Sequence, residues 1–117
     1  MKDKSNCAFG AELEHYIVQK MVELGIPASK SKGSGNQGQI ADINNPYFIV
    51  ECKNKSTESI TVDAKVWDKL KSEVPLHSKR LPLYVLRNKT KQTWAVMDVD
   101  DFFMILKGYL ENLNGRV

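Results

Sequence analysis

Apolar residues recur along the chain with two different periods, and the switches between them mark its elements. Leu13, Ile17, Met21 and Leu24, widened by Tyr16 and Val18, fall on one helical face, which predicts a helix from about Ala8 to Leu24 stopped by Gly25 and Pro27. Ser29 to Gln39 (SKSKGSGNQGQ) has no apolar period and is expected to be a polar loop. Ile40–Ile43 and Tyr47–Lys53 are expected to be strands joined by a tight turn at Asn44-Asn45-Pro46. Ser59 to Val62 is a candidate for a further short strand. The four-residue spacing of Val62, Val66 and Leu70 then predicts a helix to about Glu73, ended by Val74-Pro75. A second strand pair, Leu81–Arg87 and Thr93–Met97, surrounds Asn88 to Gln92. The last helix has the clearest pattern, with Asp98 as N-cap, a stripe of Val99, Phe102, Phe103, Leu106, Tyr109, Leu110 and Leu113, and Gly115 just past its end. The order α-β-β-(β)-α-β-β-α predicts an α/β fold with a mixed central sheet flanked by helices.

Composition adds bounds to this picture. At 117 residues and 42% hydrophobic the chain suits one compact domain, with residues 1–7 expected to be a flexible polar start. No apolar run approaches the ~20 residues needed to span a bilayer, and the first residues lack the apolar stretch of a secretory leader. Cys7 and Cys52 are in no metal-ligand spacing and read as reduced thiols, so a cytoplasmic location is expected. The net charge of +3 does not by itself indicate a nucleic-acid partner. Its distribution is more telling, because lysines and arginines concentrate between Lys30 and Lys91 while the ends are mixed or acidic. That middle suits phosphate contact, and equally a solvated lysine-rich surface.

The candidate chemistry begins at Ile49-Val50-Glu51-Cys52-Lys53. Alternation along a strand puts Glu51 and Lys53 on one face and Phe48, Val50 and Cys52 on the other, apolar one. Alone, this is also how a plain ion pair at a strand end would look. Asp42 sits in the preceding strand, and a hairpin can carry it near Glu51. Two half-buried carboxylates repel unless a cation neutralises them, and Mg²⁺ takes one or two protein carboxylates while keeping several waters. Glu14 lines up with Ile17, Val18 and Met21 and so borders the core-facing stripe, whereas Glu12 lines up with Tyr16, Gln19 and Glu23 on a mostly polar face. A coreward charge is costly unless paired or metal-bound, which favours Glu14 as the functional acid. This set suits phosphodiester hydrolysis. Asp42, Glu51 and the Cys52 backbone carbonyl would hold Mg²⁺, with Mn²⁺ as a substitute, and Glu14 would position its waters or a second ion. Lys53 would orient the attacking water or stabilise developing charge.

With these residues in view, Gly10-Ala11-Glu12-Leu13-Glu14, Lys32-Gly33-Ser34-Gly35, Ala41-Asp42-Ile43 and Val50-Glu51-Cys52-Lys53 resemble the core of the PD-(D/E)XK nucleases. More narrowly they are similar to the archaeal-type and phage Holliday junction resolvases, over most of the chain from Gly10 to about Met97. The resemblance implies a restriction-endonuclease-like fold and a Mg²⁺-dependent homodimer that cuts four-way DNA junctions by paired nicks. It carries over Glu14, Ser34, Asp42, Glu51 and Lys53 as catalytic positions. Alanine stands where the family has proline before the aspartate, and the Asp42 to Glu51 connection is short.

Gly33-Ser34-Gly35-Asn36-Gln37-Gly38 matches a dinucleotide fingerprint literally, but no strand precedes it and no helix follows. It reads as a DNA-contacting loop or a plain linker, in which Lys30, Lys32, Gly33 and Ser34 would meet phosphate. Lys55 and Arg87 are further DNA-binding candidates. His15 and His77 read as surface residues, and Trp67 and Trp94 as core or interface residues. The apolar stripe of the last helix serves either the core or a dimer surface, and an isologous dimer would match the two-fold symmetry of a four-way junction. A nickase or restriction-like enzyme acting on other DNA, and a non-catalytic DNA-binding protein of the same fold, are the alternatives.

Overall fold

The computed structural model describes residues 2–31 and 42–115. The elements run α1 (Lys2–Glu23), β1 (Ser29–Lys30), β2 (Ile43–Asn44), β3 (Phe48–Asn54), α2 (Ala64–Ser72), β4 (Leu81–Arg87), β5 (Thr93–Val96) and α3 (Val99–Asn114). The five strands form one sheet in the order β1-β2-β3-β4-β5, with β3 and β4 parallel and the other neighbours antiparallel. This is the expected mixed α/β sheet with helices against it.

Alternation along β3 and β4 divides the core into two layers. Val50, Cys52 and Val85 join Ile43 on one face, where α1 covers them with Leu13 and Met21. Ile49, Tyr84 and Leu86 take the other face, where α2 supplies Leu70, with Val66 and Trp67 packed alongside. Both central strands are covered on both sides, which explains why Leu81 to Leu86 is an almost unbroken apolar run rather than an alternating one.

The helix ends follow from local chemistry. Gly25 takes φ +84° while Ile26 N–H donates to the Met21 carbonyl at 2.9 Å, a left-handed stop that a residue with a Cβ would strain. Asp63 and Asp98 cap α2 and α3 by accepting from the N–H groups of Lys65 and Asp100, both at 2.9 Å. Between β2 and β3, buried Asn45 accepts from the N–H groups of Tyr47 and Phe48 through one side-chain oxygen, which fixes the hairpin turn.

Several expectations need correction. α1 reaches back to Lys2 instead of starting near Ala8, so residues 2–7 are helical; Lys2-Asp3-Lys4-Ser5-Asn6 carries no apolar period to reveal a helix, but nothing there breaks one either. Ser29 and Lys30 are a strand rather than loop, because they pair with Asn44 and Ile43. Ser59–Val62 forms no strand; Thr57 Oγ1 donates to the Ser59 carbonyl instead, in a turn. Leu24, assigned to the apolar stripe of α1, is 78% exposed because the chain turns away at Gly25. Of the predicted loop and the strand after it, residues 32–41 lie outside the described residues; β2 itself is Ile43–Asn44, so Asp42 precedes the strand and Asn44, expected in the turn, belongs to it through pairing with Ile49.

Candidate functional site

Asp42 sits where three elements meet. Its N–H donates to the Val50 carbonyl at 2.8 Å, and its carboxylate Oδ2 accepts from Cys52 N–H at 2.8 Å, so the aspartate is clamped against β3 from both its backbone and its side chain. Ser31 N–H donates to its carbonyl at 2.8 Å and ties it to the end of β1.

Two glutamates feel its charge. Glu51 projects from β3 on the face opposite Cys52, with Lys53 Nζ 3.7 Å from its Oε2. Burial raises the Glu51 carboxyl to about 7; nearby Asp42 adds to the rise, and Lys53 partly offsets it. Glu14 comes from α1 on the other layer. Its carboxyl is also raised, first by burial and then by Asp42, while Lys30 Nζ, 3.6 Å away, lowers it. Glu14 is 19% exposed against 51% for Glu12, so the helical register picked the inward acid correctly. The charge of Asp42 thus bears on both Glu14 and Glu51, which pair with Lys30 and Lys53.

Cys52 is buried, and its thiol is pushed far up by burial and by the fields of Asp42, Glu14 and Glu51. Its side chain packs in the core with Ile43, Val50 and Val85, and its backbone N–H serves Asp42.

Among the described residues, no three acid, histidine or cysteine side chains converge closely enough to hold a metal between them. Mg²⁺ does not need such a cage, since it binds through one or two carboxylates and keeps waters. Asp42 and Glu51 meet that requirement: they are carboxyl oxygen donors in half-buried positions, near enough for Asp42 to add to the rise at Glu51, where a cation would relieve the repulsion. The donor set fits the ion.

The other expected positions divide. Lys30 Nζ lies 3.6 Å from Glu14 Oε1, and its side chain is 44% exposed. Lys32, Gly33 and Ser34 lie outside the described residues. Lys55 and Arg87 meet in a cleft of about 450 Å³ beside Lys53, which Lys89, Lys91 and Glu12 also line. Two further features went unread in the sequence, one in this cleft and one beside Glu51. Glu12 pairs with Arg87 and Lys91 across the chain, and nothing in one sequence links residues so far apart. Tyr84 lies opposite Glu51 in the parallel register, fully buried, and its hydroxyl finds no hydrogen-bond partner among the described residues. Its position in an apolar run hid it. His15 and His77 are exposed, as expected; Trp67 packs in the core and Trp94 is half exposed.

No helix among the described residues is long and apolar enough to cross a membrane. No protein-family model, curated protein or solved structure matches the chain.

Proposed function

We propose that the protein is a Mg²⁺-dependent endodeoxyribonuclease of the PD-(D/E)XK type that resolves four-way DNA junctions as a homodimer. One observation carries the nuclease reading: Asp42 is fixed on β3 within the field of Glu14 and Glu51, with Lys53 3.7 Å from Glu51. Carboxylates and an ammonium of this kind are groups that metal-assisted phosphodiester hydrolysis can use, which supports the reading.

Asp42 and Glu51, with the Cys52 carbonyl, are the groups that would hold the cation. Bound there, it supplies Lewis-acid polarisation of the phosphoryl oxygen and cancels the local negative field. The chain's own groups do the rest. Cys52 N–H fixes one Asp42 oxygen, which sets the carboxylate's orientation. Lys53 donates to the attacking water or to the oxygens that gain charge in the transition state. Glu14, anchored by Lys30, orients water on the α1 side. Glu51 is the group whose ionisation readies the site.

The homodimer and the junction substrate rest on the resemblance and on α3. None of its residues is buried, and Phe102, Phe103, Met104, Ile105, Tyr109, Leu110 and Leu113 are all exposed. A second copy packed on this helix would cover an apolar area unusual for a monomer and would place two sites about a two-fold axis.

The test is incubation of labelled four-way junction and linear duplex with Mg²⁺ or EDTA. Symmetric, Mg²⁺-dependent nicks confined to the junction are expected. Cutting of both substrates would withdraw the junction assignment, and cutting of neither would overturn the nuclease.

A further inference from the structure

The cleft beside Lys53 is built, and it is occupied by the protein's own carboxylate. Its walls are the end of β3 with the residues that follow, and the turn from β4 to β5. Lys55 N–H donates to the Arg87 carbonyl at 2.7 Å, and Lys89 N–H donates to the Thr57 carbonyl at 3.0 Å. Buried Asn88 completes the clamp. Its side-chain N–H₂ donates to the Glu58 carbonyl and to Gln92 Oε1, both at 2.9 Å, while its oxygen accepts from the N–H groups of Thr90 and Gln92. This network holds Lys53, Lys55, Arg87, Lys89 and Lys91 around one volume.

Arg87 is fixed in place. Its Nε donates to Thr93 Oγ1 at 2.8 Å, its guanidinium lies 5.4 Å from the centre of the Tyr16 ring, and its side chain is only 13% exposed. Lys91 takes a left-handed backbone, φ 69°, where glycine is the ordinary choice. The turn keeps an ammonium there at a conformational cost. Between these two cations sits Glu12, 3.6 Å from Arg87 Nη1 and 3.3 Å from Lys91 Nζ.

We infer that this cleft takes a backbone phosphate of a nucleic-acid strand, and that Glu12 fills the anion position in the free protein and is displaced on binding. The inference deepens the nuclease proposal and rests on it for the identity of the strand. The about 450 Å³ available falls within the usual range for small-ligand sites, about 300–1,000 Å³. It admits a phosphate with its sugar, but not a whole duplex. Glu12 suits displacement because it is half exposed and its contacts to both cations are long, the kind of surface pair that contributes little. Its place on α1 adds a consequence: residues two apart on a helix point roughly 200° away from each other. One helix can therefore give Glu14 to the acidic site and Glu12 to the basic cleft.

The test measures equilibrium binding of a labelled DNA duplex by the full chain in EDTA at several salt concentrations. Glu12→Gln is expected to tighten binding about three- to fivefold, the scale of one surface ion pair. Lys91→Ala is expected to weaken binding and reduce the salt slope by about one. In the Lys91→Ala background the gain from Glu12→Gln should shrink. Glu23→Gln is the control, since it removes the same charge from the same helix at a residue paired with Lys20. It should leave binding unchanged. Equal tightening by Glu12→Gln and Glu23→Gln, or an undiminished gain without Lys91, overturns the inference in favour of a general charge effect. Cutting plays no part in this readout, so failure of the nuclease and failure of the gated cleft appear separately.

Discussion

Glu51 gives the sharpest quantitative consequence, because its ionisation works against the fold that positions it. The carboxyl is raised from 4.5 to about 7 by burial and then by Asp42, with Lys53 in partial opposition. A carboxylate raised on folding opposes folding when ionised. The penalty is absent below the unfolded value of about 4.5, grows as pH rises, and is fully present above about 7. At about 1.4 kcal/mol per pH unit the whole rise corresponds to roughly 3 kcal/mol. The side chain keeps 21% of its surface exposed, and solvent screening reduces the usable part to about 1–2 kcal/mol. Glu51→Gln, which keeps the shape and removes the charge, should therefore stabilise the metal-free protein at pH 8 by about that amount, or about 4–8 °C in Tm for a domain of this size. At pH 4.5 the two proteins should melt together. The assay is thermal denaturation followed by circular dichroism in EDTA across that pH range. A Glu51→Gln variant less stable than wild type at pH 8, or stabilised equally at both pH values, would refute the account of Glu51 as a carboxyl raised by burial and by Asp42.

Other expectations follow from the same contacts. Mg²⁺ should raise the Tm of the wild type and leave those of Glu51→Gln and Asp42→Asn nearly unmoved, which differential scanning fluorimetry would show. Asp42→Asn should abolish junction cutting while leaving junction binding in EDTA largely intact; equal loss of both would assign Asp42 to folding. Asn88→Ala removes a buried side chain bonded to Glu58, Thr90 and Gln92, and should cost about 2–3 kcal/mol in urea denaturation. Leu110→Glu on exposed α3 should convert a dimer to monomer by light scattering without lowering monomer stability, since no residue of that helix is buried; an unchanged mass would remove α3 from the interface.

Much of this architecture could be read along the chain because it rests on local periods. The two central strands, α2 and α3 lie where alternation, caps and apolar stripes put them, and Glu14 was separated from Glu12 by helical register alone. What escaped depends on pairing between distant segments. β1 exists because Ser29 and Lys30 find Asn44 and Ile43 across a long connection, and its own composition reads as loop. Tyr84 comes to lie opposite Glu51 only through the parallel register of β3 with β4, which neither strand encodes by itself. α3 shows the converse: its apolar stripe is as clear as any in the chain, yet it covers no core. A stripe reports that a face wants burial, not what buries it.

The acidic site and the basic cleft share a wall, and that wall is the end of β3. Lys53 faces both, with its ammonium 3.7 Å from Glu51 and its side chain lining the cleft. Asp42, Glu14 and Glu51 repel a polyanion, whereas Lys55, Arg87, Lys89 and Lys91 attract one. Under the nuclease proposal a strand held in the cleft lies next to Lys53, which is paired with Glu51 of the acidic site. Holding the substrate and cutting it are then set by different residues around the end of β3. Changes at Glu12 or Lys91 should move affinity and its salt dependence, and changes at Asp42 or Glu51 should move turnover and its dependence on the cation. The half-exposed Glu12 and the clamped Asp42 differ in the same sense: the residue that must leave is loosely paired, and the one that must stay is bonded to β3 through both its backbone and its carboxylate.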